Sequence, residues 1–115
     1  MASSEAFDAF DIVLVPFPFS DRMAEKRRPA LIVSKPELAT QHGHLWLAMI
    51  TSAKQLPWTS DVPIHDLVLA GLPAASVVRT AKIATIETSR ILKKLGRLDT
   101  VTAAAARQQV ITQLG

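Results

Sequence analysis

The sequence predicts a mainly β (α+β) domain: a small, strongly bent sheet or barrel with short appended helices and a C-terminal α-helix. Three observations predict it. Short apolar runs recur along residues 12–80, separated by turns rich in Pro, Gly and Ser. Helical spacing sustained over several turns is clear only after residue 100. A chain of 115 residues, 49% hydrophobic and 20% charged, is long enough for a single core and too short for two.

The elements follow in order. Ile12 to Phe19 is apolar on both parities, as in a strand buried on both faces. Pro16 and Pro18 lack N–H groups that would point to the same neighbour, so the second half of this strand is expected at an edge or out of the sheet. Ser20 to Arg27 is a connecting loop, and Pro29 opens a second strand, Ala30 to Ser34. Lys35 to Gln41 reads as a helical turn with Pro36 at its first position. Leu45 to Thr51 alternates as a third strand, with Trp46 assigned to the core. Ser52 to Ser60 is loop, Val62 to His65 a short strand, Gly71-Leu-Pro73 a turn, and Ser76 to Thr80 another β-branched strand.

Residues 82–96 admit two readings, a helix ending at Gly96 or two short strands around Glu87-Thr-Ser89. Asp99 or Thr100 caps a last helix starting at Val101. Its expected buried stripe is Val101, Ala104, Ala105, Ile111 and Leu114.

Composition removes several classes of function. There is no cysteine, which excludes disulfides and thiolate zinc sites. The longest apolar run is too short to cross a bilayer, so no membrane association is expected. The first 21 residues carry four acids and no base, the wrong sign for a secretory signal, and a cytoplasmic location is expected. Residues 79–97 carry six bases (Arg79, Lys82, Arg90, Lys93, Lys94, Arg97) against Glu87 alone. Such a patch either steers a polyanion or simply solvates the surface.

No Walker loop, dinucleotide fingerprint, nucleophile elbow or Cys–His pair is present. His42 and His44 lack a nearby carboxylate cluster, and His65 reads as a surface residue, so neither a metal site nor a histidine acid–base pair is expected. What remains is arginine plus hydroxyl. Lys26-Arg27-Arg28 packs three cations at the entrance to a strand, where Pro29 stiffens the backbone beside Arg28. A guanidinium offers a planar fork to two phosphate oxygens, and Thr51 at a strand end can add one more donor.

The chain resembles the MazF/PemK family of toxin endoribonucleases of type II toxin–antitoxin systems. The resemblance rests on Asp11-Ile-Val-Leu-Val-Pro-Phe-Pro-Phe-Ser-Asp21, on Arg27-Arg-Pro-Ala-Leu-Ile-Val-Ser34, and on Met49-Ile-Thr51. It extends through Gly71-Leu-Pro73, Ser76-Val-Val-Arg79 and Thr85 to Leu98. It implies an SH3-like β-barrel of the CcdB/Kid/MazF kind, with residues 90–95 in a strand. It also implies a homodimer that cuts single-stranded RNA without a metal or cofactor and is silenced by a cognate MazE/PemI-like antitoxin.

Carried onto this chain, the family's catalytic arginine and threonine fall on Arg28 and Thr51. The loops around the groove place Ser20, Asp21, Lys26, Arg27, Ser52 and Trp58 against RNA, Trp58 as a base-stacking ring. Arg79 and Lys82 either bind phosphate or coat the surface.

Three departures stand out. Phe10 occupies the position before Asp11 where relatives usually carry glycine. The first loop lacks the histidine some relatives have, and Ala81-Lys82 replaces an acid that the plasmid-borne branch uses in catalysis. Two other readings therefore stay open: a gyrase-poisoning toxin of the same fold, and a member that binds RNA or antitoxin without cutting.

Overall fold

The computed structural model describes residues 6–17 and 26–115. Six antiparallel strands form one sheet: β1 (Asp11–Phe17), β2 (Lys26–Ile32), β3 (His44–Ser52), β4 (Asp61–Pro63), β5 (Ser76–Glu87) and β6 (Lys93–Arg97). Their order is β4-β5-β3-β2-β1-β6. Helices α1 (Pro36–His42), α2 (Leu67–Ala70) and α3 (Thr100–Leu114) fill the connections and the C-terminus. No helix among the described residues is long and apolar enough to cross a membrane.

The sheet is curled, though its edges are not hydrogen-bonded to each other. Helix α2 follows edge strand β4 closely, yet it packs against β6 at the opposite edge. The approach is tight. A Cβ on Gly96 would meet the carbonyl of Leu69, and one on Gly71 would meet the carbonyl of Leu95. Only glycine permits such backbone contact, so these two residues set how closely the edges come together.

Residues paired across antiparallel strands share a face, and the register sorts the core into two layers. Ile12, Leu31, Ala48, Ile50, Val62 and Val78 line one face, roofed by Ile64, Ala70, Leu72, Leu98 and Ala106. Val13, Val15, Ala30, Ile32, Leu45, Leu47, Met49 and Ile86 line the other, with Phe7, Ala39, Ala84 and Ile91 against them.

Several elements match the expectations from sequence. Pro36 starts α1 at its first turn. Asp99 caps α3, accepting the Thr102 N–H and hydroxyl, each at 2.8 Å. Strand β1 pairs with β6 only through Leu14, whereas its β2 pairing runs on to Phe17. The half of β1 that contains Pro16 therefore has one neighbour, as its missing donor requires.

Other expectations are corrected. Strand β2 begins at Lys26, and Pro29 lies inside it, opposite Leu14. Proline is tolerated because the β2–β3 ladder starts one residue later, at Ala30. Strand β4 ends at Pro63, leaving His65 outside it, and α2 forms at Leu67–Ala70, a stretch given no element from sequence, just before the Gly71–Pro73 turn. Residues 82–96 take the two-strand reading. Strand β5 runs through to Glu87, a 3₁₀ turn spans Thr88–Arg90, and β6 starts at Lys93, later than the 90–95 strand implied by the resemblance.

The stripe expected to bury α3 points outward, with Val101 77% and Leu114 78% exposed. The helix packs instead through Thr102 and Ala106, whose small side chains let it lie close to the sheet. Trp46 is also on the surface, 48% exposed, because Leu45 and Leu47 take the inward positions on either side of it.

Phe10 adopts φ +72°, in the left-handed region that favours glycine. Here the turn is held by the Phe10 N–H donating to Ile32 O (2.6 Å) and by Leu98 N–H donating to Phe10 O (3.0 Å).

Candidate functional site

The second face of the sheet ends in polar residues, and the register places them in two rows. One row runs Val13, Ala30, Met49, Arg79, Asp61, each paired with the next. The row beyond it begins with the pair Val15–Arg28 and ends with Thr51–Val77–Pro63. The β2–β3 ladder stops at Ala30–Met49, since Pro29 has no N–H to donate. Continuing that register by two residues sets Arg28 opposite Thr51. Both side chains are half-buried, rooted on strands and facing the same way.

Pro29 therefore has two local effects. It stiffens the backbone next to Arg28, and it ends the β2–β3 ladder two residues short of Arg28 and Thr51. The result is a cation and a hydroxyl on rigid elements at the mouth of an otherwise apolar face, suited to holding a tetrahedral anion.

The remaining sequence-derived residues are distributed unevenly. Lys26 and Arg27 are exposed on β2, next to Arg28. Ser52 is exposed at the end of β3, where its hydroxyl accepts the Lys54 N–H at 3.1 Å. Ser20 and Asp21 lie outside the described residues. Ala81 and Lys82 are both exposed, and they sit in a bulge of β5. The β3–β5 register passes from Ala48–Ile83 to Met49–Arg79 there, so three residues of β5 are looped out between successive rungs of the ladder. Thr80 is buried at that bulge and donates to Ser60 O at 2.8 Å.

Arg79 is not a surface cation. Its side chain is 11% exposed and its guanidinium makes a fork to Asp61, Nε to Oδ1 at 3.1 Å and Nη2 to Oδ2 at 2.9 Å. Nη2 also donates to Leu56 O at 2.9 Å, and the guanidinium carbon lies 4.4 Å from the centre of the Trp58 ring. Burial opposes ionisation of Asp61, but hydrogen bonds from Arg79 and from the Trp58 N–H outweigh it. They hold the carboxyl below the usual carboxylate range. Asp61 was not among the residues read from sequence. An isolated acid at a strand start carries no sign that an arginine eighteen positions later will be paired with it.

Asp11 is equally occupied. It is 5% exposed, accepts the Asp8 N–H at 3.0 Å and pairs with Lys94 at 3.1 Å, which fastens β1 to β6. No group of three or more potential metal ligands occurs among the described residues. A shallow groove of about 650 Å³, lined by Phe7, Ala39, Ile91 and Leu92 among others, contains none of the residues above.

The curled sheet with its C-terminal helix is a fold shared with MazF toxins. A crystal structure of MazF from Deinococcus radiodurans superposes with a TM-score of 0.78 at 21% identity, covering 97% of this chain and 99% of the other. The Mycobacterium tuberculosis toxin MazF-mt6 gives 0.73 at 22% identity, covering 90% and 95%. A mycobacterial endoribonuclease in complex with its cognate antitoxin gives 0.73 at 15%, covering 96% and 94%. At these identities the likeness establishes the fold. No curated protein sequence matches the chain.

Sequence then settles the family. The profile described as "PemK-like, MazF-like toxin of type II toxin-antitoxin system" matches residues 8–114. The chain belongs to that family and is a toxin of the toxin–antitoxin type.

Proposed function

We propose that this toxin is a sequence-selective, metal-independent endoribonuclease acting on single-stranded RNA. The observation that supports the reading is the β2–β3 register, whose last laddered pair, Ala30–Met49, lies two residues from Arg28 on one strand and two from Thr51 on the other. The RNA's own 2′-oxygen attacks the adjacent phosphorus and the bond to the 5′-oxygen breaks. The 2′-hydroxyl loses its proton and the leaving oxygen gains one, so the products are a 2′,3′-cyclic phosphate and a 5′-hydroxyl. Arg28 offers two donors to the non-bridging oxygens as negative charge builds on them, and Thr51 holds the phosphate in line. Asp61 is tied to Arg79 and is not free to act as the base.

Three further points belong to this reading. A cognate antitoxin is the expected partner, since the Deinococcus relative is also known as a MazE–MazF complex. A homodimer is expected. Trp46 and Ile83, each nearly half exposed, are diagonal neighbours on one face of the β3–β5 arm, an apolar patch for a second copy to cover. Cytoplasmic action follows from an RNA substrate.

The test is a long single-stranded RNA incubated with the dimer in EDTA, with product ends mapped, beside Arg28→Ala and Thr51→Val. Discrete cuts ending in cyclic phosphate, lost in Arg28→Ala while its circular dichroism matches wild type, support the reading. Cutting by Arg28→Ala at the wild-type rate refutes the assigned site. Intact RNA with wild-type protein favours the non-cutting reading, for which the exposed Ala81-Lys82 bulge in place of a carboxylate is the specific observation. Inhibition of gyrase supercoiling with intact RNA would mark the gyrase toxin.

A further inference from the structure

The loop between β3 and β4 is held by hydrogen bonds along most of its length. Gln55 N–H donates to Ser52 O, Lys54 N–H to the Ser52 hydroxyl, Trp58 N–H to Asp61 Oδ2, and Asp61 N–H back to Trp58 O. Ala53 N–H donates to Ala75 O, and the Thr80 hydroxyl to Ser60 O, so both ends are stitched to the β5 side of the sheet. At the centre stands Arg79, which reaches from β5 to bond Asp61 and Leu56 and to cover one face of the Trp58 indole.

With its ring against the guanidinium, Trp58 is still 45% exposed, so a large part of the residue stays open to solvent. Leaving an aromatic face wet has a cost that a purely structural tryptophan would avoid by turning inward. Here the ring is held out, and held still. The loop starts at the residue after Thr51, and the Arg79–Asp61 pair lies one row from Thr51 on the same face.

We propose that Trp58 is a one-sided stacking platform for an unpaired base of the RNA, and that Arg79 is its positioning residue rather than a phosphate ligand. This rests on the ribonuclease reading above and assigns Trp58 to a nucleotide flanking the cut. Arg79 acts twice. Its fork to Asp61 and Leu56 fixes the loop, and its charge under the ring fixes the ring plane without using rotamer freedom at the moment of binding. Base–aromatic stacking tolerates any base, so the platform sets position and affinity, with modest base preference.

A test independent of cleavage uses a fluorescein-labelled 2′-O-methyl RNA octamer of randomised sequence, which has no 2′-hydroxyl to react, followed by anisotropy across a salt series. Trp58→Ala is expected to weaken binding about five- to hundredfold with the salt dependence unchanged, and Trp58→Phe to recover much of the loss. Arg79→Met is expected to weaken binding with the salt slope unchanged, because no phosphate contact is removed. A phosphate ligand would lower that slope by about one. Should Arg79→Met fail to fold, the two Trp58 variants carry the test.

The proposal is overturned if Trp58→Ala binds within twofold of wild type, if Arg79→Met lowers the slope by one, or if wild type does not bind the octamer. Octamer binding of the expected kind by a protein that leaves ordinary RNA intact would sustain the platform and remove the ribonuclease reading.

Discussion

Alanine at three glycines separates the cost of a left-handed backbone from the cost of crowding the sheet edges. Gly43 caps α1 at φ +70°, with nothing within 4 Å of the place a Cβ would occupy. Its substitution pays for the backbone alone, about 1 kcal/mol. Gly96 carries no such dihedral, but a Cβ there would fall on the Leu69 carbonyl oxygen and lie 2.6 Å from the Ala70 carbonyl carbon. Backbone cannot swing aside as a side chain does, so α2 must move off β6, at about 2 kcal/mol on the scale of overpacked cores. Gly71 meets both conditions, with φ +72° and the Leu95 carbonyl carbon 2.8 Å from its Cβ position. Its substitution should cost about 3 kcal/mol, near the sum of the other two.

At roughly 4 °C per kcal/mol for a chain of this size, melting should fall by about 4, 8 and 12 °C for Gly43→Ala, Gly96→Ala and Gly71→Ala. Differential scanning calorimetry reads all three, and urea titration checks that the slope m is unchanged. The reasoning is refuted if Gly71→Ala melts no lower than Gly43→Ala, or if Gly96→Ala melts with wild type. Either result would mean that α2 does not clamp the sheet edges together.

Three further outcomes are expected. Arg28→Ala should lower the single-turnover rate of RNA cleavage by about two to three orders of magnitude, with Thr51→Val less severe, at unchanged melting temperature. Leu31→Ala, at a site with no exposure in the layer beneath α3, should cost about 3 kcal/mol in urea unfolding. Asp61 has a folded-state pKa below its unfolded value of about 3.8, so its pair with Arg79 contributes fully above that pH. That contribution is lost as pH falls through the lower folded value. Asp61→Asn should therefore be less stable than wild type at pH 7, and the gap should close in urea titrations carried from pH 4 downward.

Sequence by itself determined what local chemistry can determine. Short apolar runs bounded by turn residues identify most of the strands, Pro36 the start of α1, and Asp99 or Thr100 the cap of α3, because each depends on neighbours within a few residues. The arginine and threonine were legible as chemistry through Pro29 and the strand end, and as a pair only through resemblance to a family. How near they stand to each other is a matter of register, which belongs to two strands and to neither alone.

Tertiary structure decided the rest. The apolar residues Val101, Ala104, Ala105, Ile111 and Leu114 predict a buried stripe on α3, but they are not the residues that meet the sheet. Close packing chose the small residues Thr102 and Ala106 and left Val101 and Leu114 outside. Trp46 was misplaced for a related reason, since alternation gives two faces and only the packed partner tells which is wet. Arg79 read as one more base in a basic stretch until β4 brought Asp61 beside it and the loop laid Trp58 across it. A buried ion pair needs two groups distant in sequence to share one desolvated site, and no property of either residue alone announces that they will.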